Sequence, residues 1–184
     1  MSELDKSKSK RGGRRIHESF NEPDLFKDVE SVLESARKKG YYVNKSLDIE
    51  SLIRSFTDVH LEFIDMDGGL SGSLKNEGDL WIMKINSKHH KNRQRFTMAH
   101  ELGHYIMHKD KNATFEDTTF FRGADHNAME FAANEFASSV LMPQDDIVEL
   151  LSKGIRELDE LSDEFNVSPS AMKYRLEKLG YTFS

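Results

Sequence analysis

Residues 100–104 read His-Glu-Leu-Gly-His, and those residue types at that spacing can hold and use a metal ion. Two residues four apart on an α-helix differ by about 40° in direction and about 6 Å in height. The imidazoles of His100 and His104 can therefore grip one ion from the same side, while Glu101 between them reaches water at that ion. Zinc suits this donor set: it lowers the pKa of bound water to about 7, and Glu101 is placed to take the proton as the water attacks a carbonyl. The chain has no cysteine, so thiolate sites and disulfides are excluded and histidine, carboxylate and water remain as ligands.

A catalytic zinc needs a third protein ligand. His108 continues the four-residue series, yet it lies about 12 Å along the axis from His100 and its direction has drifted by about 80°. One ion cannot reach all three, and His108 reads instead as a helix C-terminal cap. The extended motif with a third histidine is absent, because Met107 and Asp110 stand at its glycine and histidine positions. The ligand must come from another element. Residues 125–142 read as a helix stopped by Pro143, on which Glu130 shares a face with Ala133, Asn134, Ala137 and Leu141. Those small side chains let the helix come close, and a carboxylate on such a face needs a partner. Glu130 is favoured over Glu135, which lies about 140° away on the wheel and reads as solvated. Asp125 and His126 stay open as outer partners or transition-state donors, with His126 the candidate for stabilising an oxyanion.

The elements that must position these groups can be read from periodicity. Phe96, His100, Gly103, His104 and Met107 share one helical face. A mid-helix glycine at 103 costs about 1 kcal/mol and suggests a close approach of another backbone or a ligand. Upstream, Leu25, Val29, Val32, Leu33 and Ala36 predict a helix from Asp24 to Gly40, and Asp48 to Phe56 predicts a second. Val59, Leu61 and Phe63 alternate as in a strand, and Leu70–Lys75 and Leu80–Asn86 read as a hairpin around Asn76-Glu77-Gly78-Asp79. The expected fold is α+β and zincin-like: a small antiparallel sheet packed on helices, the His100–His104 helix central. Residues 1–20 read as a disordered basic tail, 21–150 as the metal-binding domain, and 151–184 as a helical appendage.

Within that appendage, Leu158, Leu161 and Phe165 form one stripe and Met172, Leu176 and Leu179 a second, separated by Asn166-Val167-Ser168 with Pro169 behind it. This is a helix-turn-helix-like pattern, and direct DNA binding through Lys173, Arg175 and Lys178 is its functional reading. Glu157, Asp159, Glu160, Asp163 and Glu164 oppose that reading by charge, so packing or protein contact is preferred. The net charge of −6 argues the same way for the whole chain. No apolar run approaches the roughly 20 residues of a membrane span. The Lys- and Arg-rich N-terminus lacks the apolar stretch of a secretory signal, so the cytoplasm is the expected compartment.

The stretch RFTMAHELGHYIMH, followed by E-x-x-A-N-x-F-A-x-x-x-L-M-P from Glu130 to Pro143, resembles the ImmA/IrrE-type zinc metallopeptidases. Ile85-Asn86-Ser87 and Gln94-Arg95-Phe96 are similar too, and the likeness covers roughly residues 45–180. The resemblance implies zinc held by His100, His104 and Glu130, a gluzincin-like ligand set, with Glu101 as the catalytic base. Ala132 is a departure, since many relatives carry glutamate there. The resemblance also implies a protein substrate. Such proteins often stand beside helix-turn-helix repressors in phages and mobile elements and act as anti-repressors in transcription regulation. Substrate is expected against a sheet edge, with Leu80–Asn86 the candidate strand. A zinc-bearing partner of a repressor or antitoxin, acting without turnover, is the alternative.

Overall fold

The computed structural model describes residues 23–67, 69–111, 113–116 and 124–182, and for 23–28, 116 and 124–127 the backbone alone. The expected basic tail at 1–20 lies outside the described residues.

Helix α1, Pro23–Lys38, buries Val29, Val32, Leu33 and Ala36, the stripe that its sequence spacing marks. A two-strand hairpin follows, β1 (Tyr42–Val43) with β2 (Ser46–Leu47), its turn made possible by Asn44 at φ +54°. Helix α2, Ile49–Arg54, is capped by Asp48, whose carboxylate accepts from the Ser51 amide.

The main sheet holds β3 (Val59–Ile64), β4 (Gly72–Glu77), β5 (Leu80–Asn86) and β6 (Thr114–Glu116), in the order β3-β5-β4-β6. The hairpin β4–β5 pairs antiparallel with Glu77 opposite Leu80, and Gly78 supplies the positive φ of its turn. Strand β6 joins β4 antiparallel, while β3 joins β5 in parallel with Val59 opposite Trp81. The one parallel pair follows from the 65–71 connection, which carries the chain past the place that β5 later fills. Asn86 braces that connection, its side-chain amide donating to the Met66 and Leu70 carbonyls. Gln94, from the next helix, donates to the Asn86 and Ser87 carbonyls.

Helix α3, Lys91–His108, carries the His-Glu-Leu-Gly-His run and is buried without a break from Thr97 to Tyr105. One side meets the sheet: Trp81 of β5 and Phe56 set their rings edge-on to Tyr105, whose hydroxyl donates to Asp58. The other side meets α4, Ala124–Leu141. A Cβ on Gly103 would stand 3.0 Å from Phe136 Cδ1 and 3.3 Å from the Ala133 Cα, so the glycine is there for the close approach that its cost implies. Pro143 ends α4 and also caps α5, Gln144–Ser152, whose first turn carries Asp145 and Asp146.

Helices α6, Leu158–Phe165, and α7, Pro169–Lys178, are joined at Asn166 in the left-handed conformation, with Ser168 capping α7 through the Ala171 amide. Leu161, Phe165, Val167, Met172 and Leu176 belong to the same apolar cluster as the sheet and α3. Arg95 ties the pieces together, donating to the carbonyls of Leu47 and Asn166 and to the Ser46 hydroxyl. Among the described residues no helix is long and apolar enough to cross a membrane.

Candidate metal centre

Three side chains from two helices converge. His100 and His104 project from adjacent turns of α3, and Glu130 projects from α4 across the gap that Gly103 permits. His100 Nε2 lies 3.2 Å from Glu130 Oε2, His104 Nε2 lies 3.1 Å from Glu130 Oε1, and the two Nε2 atoms are 3.1 Å apart. A tetrahedral zinc with bonds of about 2.0–2.1 Å separates its donors by roughly 3.3 Å. Among the described residues this trio forms a group that could hold a metal ion, and its two nitrogens and one carboxylate fit zinc.

The rings are also held from behind. His100 Nδ1 lies 3.0 Å from Asn134 Oδ1, one turn along α4 from Glu130. His104 stacks on Phe115 of β6, ring centroids 4.5 Å apart and planes 15° from parallel. Its Nδ1 lies 3.1 Å from His108 Nδ1. The structure corrects the expected role of His108: the residue is 5% exposed and points inward, and α3 is capped at Lys109 instead. Eight residues turn His108 too far to share the ion, but an imidazole placed behind His104 needs to reach only that neighbour. Burial and the adjacent His104 push the His108 imidazole down to about 4, so it is neutral at pH 7. For Glu130, burial acts to raise the carboxyl, but hydrogen bonds from His100 and His104 outweigh it and hold the group well below the usual carboxylate range.

Glu101 is fully buried and its carboxylate reaches β4. A Cβ on Gly72 would come within 3.2 Å of its Oε1 and within 2.5 Å of Thr97 Cγ2. The carboxylate therefore lies against the backbone of β4, in space that only glycine leaves open.

Glu135 is placed differently from the solvated reading. Helix α7 crosses the outer side of α4, so Glu135 accepts from the Tyr174 hydroxyl at 2.7 Å and sits 3.7 Å from Lys178 Nζ. The side chains of Asp125 and His126 lie outside the described residues. Arg175, expected to face solvent in a DNA-binding reading, is 8% exposed and donates to the Met142 carbonyl. The expectation that Leu80–Asn86 forms a sheet edge is also corrected, because β5 lies between β3 and β4. Phe115 and Asn134 escaped sequence reasoning. A three-residue strand is too short to show a period, and Asn134 was visible only as a neighbour of Glu130 on its wheel.

Comparison with known proteins gives concordant results. The family described as the IrrE N-terminal-like domain, a peptidase family, matches residues 54–177. The radiation response metalloprotease IrrE of Deinococcus radiodurans is 32% identical over 133 residues, 70% of this chain and 40% of that protein. Its namesake from Deinococcus deserti is 30% identical over the same length, covering 46% of that protein. A Mycobacterium tuberculosis transcriptional regulator shares the fold, with a TM-score of 0.62 at 14% identity over 83% of this chain and 46% of that one. The chain thus spans less than half the length of these relatives. The match covers both the α3 segment with its paired histidines and the α4 segment with Glu130, and on that ground the chain belongs to the ImmA/IrrE-type family of metallopeptidases.

Proposed function

We propose that this chain is a zinc-dependent peptidase that hydrolyses a peptide bond in a specific cytoplasmic protein, with a helix-turn-helix regulator as the substrate class. The observation that carries the reading is the convergence of His100 Nε2, His104 Nε2 and the Glu130 carboxylate within 3.2 Å of one another, with Glu101 adjacent on the same helix. The regulator as substrate, and with it an anti-repressor role, rests on the family resemblance alone.

In this reading His100, His104 and Glu130 hold the ion, and residues 151–184 are a helical appendage on the peptidase unit. Zinc bound there supplies Lewis acidity, making water acidic near pH 7 and polarising a carbonyl. Glu101 accepts the proton of the attacking water and returns it to the leaving nitrogen. Burial of Glu101 keeps that carboxylate in one place, while the β4 backbone at Gly72 limits its rotamers. The extended substrate adds along β6, the sheet edge that carries Phe115 beside His104.

The test is cleavage of a peptide library derived from a bacterial proteome, read by mass spectrometry for new termini. Zinc-loaded chain should produce a consistent set of cuts. Glu101→Gln should bind zinc equally and lose the cuts by about 10²-fold or more. Equal cleavage by Glu101→Gln, or no cleavage by either, would sink the peptidase reading and favour a zinc-bearing binding partner.

A further inference from the structure

Stacking on Phe115 fixes the plane of the His104 ring, but a flat hydrocarbon face cannot distinguish one edge of an imidazole from the other. A half-turn of the ring about its bond to Cβ keeps the stack and carries both nitrogens away from their present neighbours. Something else must choose the orientation that aims Nε2 at Glu130.

His108 supplies that choice. Its Nδ1 lies 3.1 Å from His104 Nδ1, a separation that requires one of the two to carry a hydrogen and the other a lone pair. His104 Nε2 faces Glu130 and the Nε2 of His100. When that nitrogen offers its lone pair to an ion, the hydrogen of neutral His104 must be on Nδ1. His108 then has to accept at Nδ1 and keep its own hydrogen on Nε2. At the other ligand the same task falls to an amide: His100 Nδ1 lies 3.0 Å from Asn134 Oδ1, an acceptor. The outer partners of metal-bound histidines commonly fix tautomer and ring orientation in this way.

We propose that His108 is a positioning residue for the metal centre. As the neutral Nε2–H tautomer it accepts a hydrogen bond from His104 Nδ1 and so aims His104 Nε2 at the ion. The proposal rests on the zinc reading of the site. It makes the third histidine of HELGHYIMH part of the site, one step behind the ligands.

Two measurements on the full chain test it. Long-range ¹H–¹⁵N correlation of the histidine rings, in zinc-saturated protein at fixed neutral pH, should show His108 protonated at Nε2 alone and His104 at Nδ1. Zinc affinity, measured by competition against a chromophoric chelator, should be weaker by about 10–100-fold in His108→Phe. His108→Asn should keep the affinity of the unaltered chain, because its Oδ1 can take the place of the lost Nδ1, as Asn134 serves His100. Equal affinity in His108→Phe, or a hydrogen on His108 Nδ1, overturns the proposal while leaving the metal site standing. Should His108→Phe fail to fold, the tautomer of the unaltered chain decides. Absence of zinc binding by the unaltered chain overturns the site itself, and this proposal with it.

Discussion

Phe115 lies flat against His104, ring centroids 4.5 Å apart, so a three-residue edge strand forms one wall of the candidate metal centre. The same ring stacks at 6.4 Å on Trp81, linking the wall to the middle of the sheet. Phe115→Ala removes both contacts from a residue that is 5% exposed. The expected loss of stability is about 3 kcal/mol, the lower end for a buried phenylalanine because β6 is at the sheet edge. Zinc affinity should fall as well, because His104 gains rotational freedom. Urea denaturation and chelator competition on the same preparation check both; a stability loss with unchanged zinc affinity would show that the stack serves packing alone.

Gly72 tests how Glu101 is held. The space for a Cβ there is already taken, with Thr97 Cγ2 at 2.5 Å and the Lys84 carbonyl at 3.0 Å. Gly72→Ala should destabilise the fold by about 1–3 kcal/mol through overpacking. Thr97→Ser deletes the methyl group in the closer clash, so the double variant should recover part of the loss, a coupling visible in a double-mutant cycle. Peptidase turnover should fall more than zinc affinity, because the added methyl group crowds Glu101 Oε1 at 3.2 Å and no ligand. A simple sum of the two single effects would argue against the clash.

Much of this was legible in the sequence where a pattern repeats or a residue type is costly. The α1 stripe, the α2 helix beginning near Asp48, the β4–β5 hairpin and the α6–α7 turn all follow from local chemistry, and their bounds in the structure lie within two residues of expectation or little more. Glu130 was legible because a carboxylate on a face of small residues must have a partner. Less legible were features set by the third dimension. The place of β5 between β3 and β4 depends on how the 65–71 connection travels, and no periodicity records that. Glu135 looked solvated because its partners Tyr174 and Lys178 come from a helix about forty residues away. The spacing of His108 rules it out beside a shared ion but does not reveal its partner, the ring of His104.

Gly103 sets the distance between α3 and α4, the two helices that carry the proposed ligands. Alanine at this position improves helix propensity by about 1 kcal/mol, yet its Cβ would meet Phe136 Cδ1 at 3.0 Å and the Ala133 Cα at 3.3 Å. Phe136 is fully buried and has little room to yield. Overpacking of about 1–3 kcal/mol should therefore outweigh the helical gain and leave Gly103→Ala less stable. Any relief by outward movement of α4 carries Glu130 away from His100 and His104, so zinc affinity should drop in the same variant. A stabilised Gly103→Ala with unchanged affinity would mean that the two helices have slack between them.

Metal removal should separate the ligand carboxylate from its neighbour on α4. An ion that binds only the folded chain adds stability by mass action, about 2.7 kcal/mol when free zinc is a hundredfold above Kd. For a chain of this size that corresponds to a rise in Tm of roughly 5–10 °C, which excess chelator should abolish. Glu130→Ala leaves two imidazoles to share the ion and should show almost no zinc-dependent rise. Glu135→Ala should behave otherwise. Its carboxylate accepts from Tyr174 and pairs with Lys178 on α7, so its loss lowers the melting point with and without zinc while the zinc-dependent increment persists. Thermal melts of the three proteins, each with zinc and with chelator, give six curves that distinguish a ligand from a packing contact. An increment retained in Glu130→Ala and lost in Glu135→Ala would exchange the roles of the two carboxylates.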